Sequence, residues 1–381
     1  MLPYLILIFA PLMFYQIAVT KDDKSNREGW FISIGKEPST LNNSLIVPIF
    51  FLLFFFLLIL RHDSVGRDTN VYHYYFSGYV NADFTAVLRS ERDYLYWLLN
   101  WVVAQFTDDF RVFLIIVSLL TVLPIAKVYC EDKQYGLLKI ILFVNMSTFI
   151  MMFSGLRQSI ALSIGMIAYE FVKKKQPLRF LLFAIIAMGF HHTAFIVLLF
   201  YPLYHMRLQK NQLWFAIPTI AAVFIFNKPI FAFTTRLLSK FLGEQYEAEM
   251  EDTGAYTMII VFVLFAIAAF FFPDDDKLDD ETIGLRNFLL MTVLLQCFAP
   301  LYNTAMRLNY YFIIFVPIVM PKILKLSKDN IKDVTHIAKI VMVGFFVVYF
   351  LYVVYIGCKT GRSVLDTYPY IPFWENGELF G

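Results

Sequence analysis

Residues 149–171, FIMMFSGLRQSIALSIGMIAYEF, decide how this chain folds. The stretch would pass as a lipid-facing helix but for Gly155, Arg157 and Gln158 in its first half. An arginine at the centre of a membrane helix costs about 2.5–3.5 kcal/mol on insertion scales, so a segment that keeps one is expected to use it. If residues 149–153 close one helix and 156 opens the next, the unsatisfied amides of the new helix and the guanidinium point at one place and form an anion site. The plainer alternative is an arginine near a helix end that snorkels to the interface.

Outward from this stretch the chain keeps the same character. Its 381 residues are 59% hydrophobic, with 42 Phe and 23 Tyr, and its mean hydropathy is +0.63. Apolar runs of roughly 15–20 residues recur along nearly the whole length, too many for a soluble core and too continuous for alternating barrel strands. The expected fold is all-α, a polytopic transmembrane helical bundle of about 11–13 membrane segments, broken or re-entrant helices included, with residues 1–381 as a single membrane domain. The amino end has no charged n-region or cleavage site, so residues 2–19 are expected to remain as a membrane helix. Cys130, Cys297 and Cys358 have neither metal nor redox spacing. A formal charge of +2 gives no reason to expect a nucleic-acid partner.

The spans fall at residues 2–19, 44–60, 110–129, 137–153, 156–172, 178–204, 212–227, 255–272, 286–300, 308–321 and 338–356. Lys173, Lys174, Lys175 and Arg179 mark a cytoplasmic turn, and counting from it puts Lys21, Lys24, Lys36, Lys133, Lys210, Lys322, Lys325, Lys328, Lys332 and Lys339 on the same side. Residues 178–204 are flanked by basic residues at both ends, so they must cross twice or dip and return, as half-helices breaking near His191 and His192. Both termini, the loops 61–109 and 228–254 and the tail 357–381 then face outward, with YLYWLLNWVVAQF (94–106) interfacial or re-entrant. The acidic turn PDDDKLDDE (273–281) reads as a solvated connector on the inner side. Arginines behave differently from lysines: Arg61, Arg67, Arg89, Arg92, Arg111, Arg157, Arg236, Arg307 and Arg362 fall outside. Arginine suits bidentate contact with phosphate or carboxylate, so an arginine-rich outer cavity points to an anionic ligand.

Four polar clusters lie on that side. In RHDSVGRDTNVYHYYF (61–76), Arg61 and Arg67 could hold phosphate and Asp68 a sugar hydroxyl, with Gly66 permitting a tight turn; an ordinary loop meeting lipid headgroups is the competing reading. Arg157 and Gln158 form the second. GFHHTAF (189–195) supplies His191 and His192, as a general base, as hydrogen-bond donors to phosphate, where His192 is placed among the substrate-binding residues, or as packed groups. No metal is expected there, because adjacent histidines on a helix point apart and no carboxylate or cysteine is near in sequence. LYNTAMRLNYYF (301–312) offers Arg307 with Asn303, Asn309, Tyr310 and Tyr311 for sugar contacts, against the alternative of an aromatic belt. The tail TYPYIPFWENG (367–377) either caps the cavity or anchors at the surface.

The order and spacing of RHDSVGRDTNVY, GLRQSIALSI, GFHHTAF, MRLNYYF and YPYIPFW resemble the EpsG-like, Wzy-type exopolysaccharide or O-antigen polymerases of bacteria, over about residues 61–374. The resemblance implies a metal-independent, cofactor-free glycosyltransferase of the bacterial inner membrane with its site facing the periplasm or exterior. It would transfer a glycan from undecaprenyl diphosphate to the nonreducing-end hydroxyl of another lipid-linked repeat unit, inverting the anomeric carbon. Donor and acceptor lipids are its implied partners, with a chain-length regulator and a flippase beside it in the membrane. Arg157 and Gln158 fall on the family's Arg-Gln helix, His191 on its Phe-His motif and Arg307 on its late arginine. Arg67, where the family often has a small or acidic residue, departs from the pattern, and His192, often serine in relatives, ranks below His191. Arg157 and Arg307 are assigned to the diphosphate, Arg61 and Arg67 to further anion contacts, Gln158, Asn303 and Tyr310 to orienting the substrate, and His191 or Asp68 to the base. A polyprenyl-phosphate-sugar transferase with a catalytic Asp in the first outer loop, a lipid-linked oligosaccharide flippase and a sugar O-acetyltransferase remain as alternatives.

Overall fold

The structure is a computed structural model that describes residues 1–22, 40–90, 92–132, 135–242, 256–361 and 363–375. Lys24, Lys36, Lys133, Arg362, residues 243–254 of the loop expected at 228–254 and the last residues of the tail lie outside the described residues. Among the described residues the regular structure is helical, with two isolated bridges, Arg61 to Pro372 and Pro273 to Ser327. The chain forms two compact units, Met1–Val197 with Asp333–Gly381, and Leu198–Lys332.

The first unit contains α1 (Leu2–Asp22), α2 (Thr40–Ile59), α3 (Thr69–Tyr79), α4 (Thr85–Leu88), α5 (Tyr94–Ala104), α6 (Phe110–Glu131), α7 (Gly136–Asn145), α8 (Ser147–Ser154), α9 (Leu156–Lys173) and α10 (Pro177–Phe190). Helix α9 lies along α10 and α6, and α2 along α1, α6 and α7. Apolar spacing explains which faces meet. Thr69, Tyr72 and Phe76 form the buried stripe of α3, and Tyr96, Asn100, Val103 and Ala104 that of α5, at the three- and four-residue intervals of one helix face. These stripes close on Phe110, Phe113, Leu114 and Val117 of α6 and on Leu156 and Ile160 of α9. A second aromatic cluster joins Phe50, Phe51 and Phe54 to Tyr129, Phe143, Phe149 and Phe153, mostly edge to face. Between helices in lipid such packing, rather than exclusion of water, supplies the attraction.

The second unit contains α11 (Phe200–His205), α12 (Leu213–Ile225), α13 (Asn227–Leu242), α14 (Tyr256–Phe271), α15 (Asp280–Gln296), α16 (Asn303–Ile313) and α17 (Val316–Lys325). Helix α15 packs on α11, α14, α16 and α17 around Phe200, Phe288, Phe312 and Phe315. Helix α18 (Lys332–Thr360) then returns to the first unit, where Phe350 meets Phe149.

Two helices, Phe110–Glu131 and the one over Asp329–Thr360, are long and apolar enough to cross a membrane among the described residues, and up to five if each of three bent pairs counts as one span. The expected spans 137–153 and 308–321 are such pairs, bent by 61° between α7 and α8 and by 46° between α16 and α17. The expected loop at 61–109 carries α3, α4 and α5, and the expected loop at 228–254 is helical as far as Leu242. The acidic turn is more than a solvated connector. Asp275 accepts from the buried Arg286 at 2.9 Å, Asp280 from Arg207 at 2.7 Å, and Glu281 pairs with Lys322. A buried guanidinium requires such partners, which the run of acids alone did not reveal.

Candidate functional site

The break expected in front of Arg157 exists. Helix α8 ends at Ser154, Gly155 occupies the junction with φ −88° and ψ 71°, and α9 opens at Leu156 with no side-chain cap. Arg157 therefore stands in the first turn of α9, with its side chain 31% exposed. Its guanidinium is ringed by Tyr72, Tyr96 and Trp97, whose centroids lie 5.9, 5.9 and 5.5 Å from Cζ. The Tyr72 hydroxyl faces both the guanidinium and the backbone amide of Arg157. Electron-rich ring faces around a cation hold it in place without consuming all of its donors.

Sequence reasoning missed the partner of this arginine. Arg157 Nη1 donates to Asp93 Oδ2 at 2.9 Å, and the Asp93 side chain is only 1% exposed. Asp93 precedes α5 in the left-handed region, φ 58° and ψ 41°, which aspartate tolerates better than most residues. In RDYLYW the residue reads as an ordinary acidic N-cap, yet it makes no cap hydrogen bond and its carboxylate turns inward instead. Behind it, Trp97 Nε1 donates to the Arg92 carbonyl at 2.8 Å and ties the loop to α5.

Both histidines reach the same carboxylate. Helix α10 stops at Phe190, His191 is extended (φ −154°, ψ 123°), and a 3₁₀ segment begins at His192. His191 Nδ1 lies 3.3 Å from Asp93 Oδ2, the His192 amide donates to Oδ1 at 2.8 Å, and His192 Nδ1 lies 3.4 Å from Oδ1. Gly189 makes this approach possible: a Cβ there would come within 2.6 Å of Leu95 Cδ1, so α10 sits directly against α5. Burial of Asp93 favours its neutral form, but hydrogen bonds with His191 and His192 and the charge of Arg157 outweigh that and hold the carboxyl below the usual carboxylate range.

This geometry corrects the premise on which a metal was discounted. The helix ends at the histidines, so their side chains converge, and a carboxylate remote in sequence joins them, with donor atoms of Asp93, His191 and His192 within 4.8 Å of one another. The residue types would suit a divalent ion, but the Arg157 guanidinium bonded to the same carboxylate places a positive charge beside it.

The other candidates divide. Asp68 precedes α3 without a side-chain cap bond; its amide donates to Ser154 Oγ at 3.2 Å and its charge acts on Tyr72, so it belongs to the Arg157 neighbourhood. Gln158 is buried within α9. Arg61 is 2% exposed, with its guanidinium 5.7 Å from the Phe153 ring and none of its side-chain nitrogens hydrogen-bonded. Arg67 Nε donates to Asp366 at 3.2 Å on the surface. Asn303, Arg307 and Tyr310 share one side of α16 in the second unit, the first two exposed and Tyr310 buried, while Asn309 donates to the Thr292 carbonyl and Gln296.

The tail is stitched across the first loop. The amides of His62, Gly66 and Arg67 donate to the Ile371, Asp366 and Leu365 carbonyls at 2.8–2.9 Å, and the Phe373 amide donates back to Leu60 at 2.9 Å. Arg111 stacks 3.5 Å over the Phe373 ring.

A search of curated proteins and a search of solved structures each found no match. The family model described as the EpsG family matches residues 44–372, a range that takes in Arg61, Asp93, Arg157, both histidines, Arg307 and most of the tail, and this membrane-embedded helical chain belongs to that family.

Proposed function

We propose that the chain is a polysaccharide polymerase that transfers a glycan from undecaprenyl diphosphate to the nonreducing-end hydroxyl of another lipid-linked repeat unit. The observation that carries this reading is the caged, partly exposed guanidinium of Arg157 at a helix start, beside a carboxylate and two histidines. Breaking the sugar C1–O bond develops charge on the diphosphate, and a fixed cation at a helix N-terminus stabilises it without reorganising. A histidine in reach of the acceptor hydroxyl removes its proton. Aromatic rings around the cation exclude water and strengthen its field. Direct displacement inverts the anomeric carbon, and the site faces the periplasm or exterior of the inner membrane. Asn303 and Arg307, exposed on α16 of the second unit, are proposed as substrate contacts on the family pattern alone.

The test incubates purified protein with synthetic undecaprenyl-diphosphate-linked repeat units and separates the products on a gel. A ladder of glycan lengths is expected, and Arg157→Ala should abolish it. Bound, intact substrate with no ladder overturns the proposal.

A further inference from the structure

We propose that Asp93 is a positioning residue that changes partners during transfer: a lipid diphosphate takes Arg157 from it, and the carboxylate then holds His192 as the base for the acceptor hydroxyl. The inference rests on the polymerase reading and assigns its base.

One carboxylate here serves four donors or acceptors: Arg157 at 2.9 Å, the His192 amide at 2.8 Å, and the His191 and His192 rings at 3.3 and 3.4 Å. The tight contacts go to the arginine and to a backbone amide, and the rings hold the looser ones. A diphosphate offers more charge than a carboxylate and can take a guanidinium bidentately, so it competes for Arg157. Exposure sets where it enters. The arginine side chain is 31% exposed and the Asp93 side chain 1%, so an anion meets the guanidinium without displacing the carboxylate from its pocket.

Losing Arg157 leaves Asp93 a buried negative charge, and such a charge needs a replacement partner. The histidines are the groups already beside it. Of the two, the His192 side chain is 35% exposed and the His191 side chain 6%, so His192 is the ring an acceptor can reach. With Nδ1–H held toward Asp93 Oδ1, Nε2 is the basic nitrogen and is presented for proton transfer. In the step itself the acceptor oxygen bonds to C1 of the donor sugar and its proton passes to His192 Nε2. The C1–O bond to the diphosphate breaks, its electron pair stays on the diphosphate oxygen, and the resulting charge rests on Arg157. Asp93 stabilises the imidazolium without taking the proton.

The experiment compares the full chain with Asp93→Asn, His192→Gln, His191→Gln and the double variant of Asp93→Asn with His192→Gln. It measures binding of sugar-free undecaprenyl diphosphate and single-turnover transfer with lipid-linked repeat units. Asparagine is at home in the left-handed region, so Asp93→Asn keeps the local backbone. Asp93→Asn should bind the lipid at least as tightly as wild type, because Arg157 no longer has a competing carboxylate, while transfer slows about 10²–10⁴-fold. His192→Gln should slow transfer within the same range, and the double variant no further, as for groups acting as a unit. Weakened lipid binding by Asp93→Asn with a normal rate per bound lipid would show that Asp93 only anchors Arg157, and would overturn the exchange. Normal transfer by His192→Gln beside slow transfer by His191→Gln would overturn the choice of base. A wild-type protein that binds the lipid and makes no ladder fails the polymerase reading instead, so the two failures are distinct.

Discussion

Asp93 and Arg157 form an ion pair whose members differ in access, and the proposed exchange of partners rests on that difference. The carboxylate is sealed and the guanidinium is open on one side, so the pair is stable at rest and available to a competing anion. Its contribution to stability has a defined pH dependence. The folded carboxyl titrates below the usual range, so the unfolded chain takes up a proton first as pH falls. The stabilisation is fully present above the unfolded value of about 3.9 and is lost as pH drops through the lower folded value. Asp93 also favours the protonated form of His191, so the comparison is made in a background of His191→Gln with His192→Gln, where no imidazole titrates against the carboxylate. In that background thermal unfolding in detergent should show the protein with Asp93 ahead of Asp93→Asn between about pH 5 and pH 7, with the margin shrinking below about pH 4, and a margin that grows on acidification would contradict the pairing with Arg157.

Among the elements, the junction between α8 and α9 and the loop before α3 act together. Gly66 has φ +94°, and a Cβ there would come within 2.1 Å of the Phe153 carbonyl oxygen at the end of α8. Thr69 Oγ1 donates to the same carbonyl at 3.2 Å, and the Asp68 amide donates to Ser154 Oγ. This contact fixes α3, and with it Tyr72, against the start of α9. Replacing Gly66 with Ala puts a side chain in the left-handed region at a cost of about 1–2 kcal/mol, to which the backbone clash adds. Gly66→Ala should lower the unfolding temperature and reduce transfer through displacement of Tyr72; calorimetry and the gel assay measure the two effects separately. The tail has the same job from the other side, since its hydrogen bonds to Leu60, His62, Gly66 and Arg67 hold the loop closed. Within the expected tail 367–377, the Ile371 carbonyl accepts from His62 and the Phe373 amide donates to Leu60, so this part of it lies along the loop. The break at His191 is legible in the sequence because basic residues flank an apolar stretch too short for two full crossings. The bends within 137–153 and 308–321 are not, because a continuous apolar run gives no sign of a turn satisfied by its neighbours.

For the whole molecule the central question is orientation. Counting from Lys173–Lys175 places Arg67 outside and Lys174 inside, and both side chains are exposed. In a variant with Cys130, Cys297 and Cys358 replaced by alanine, Arg67→Cys should react with a membrane-impermeant thiol reagent in intact cells. Lys174→Cys should react only after the membrane is opened. The reverse pattern would turn the site toward the cytoplasm and exclude an external polymerase.

Composition and apolar run length determined by themselves that the chain is an all-α membrane protein, because lipid leaves unpaired backbone no alternative. The motifs likewise pointed to Arg157, His191 and His192, since a costly polar group in an apolar stretch stands out against its neighbours. Asp93 did not stand out, because in a polar loop before a helix an aspartate looks like any cap. Only the tertiary structure gave it partners, by packing α10 on α5 through Gly189 so that the histidines meet it and by bringing it, 64 positions before Arg157, within 2.9 Å of that guanidinium. Helix ends and close contacts between helices set such pairings, and neither is written in the periodicity of a single segment.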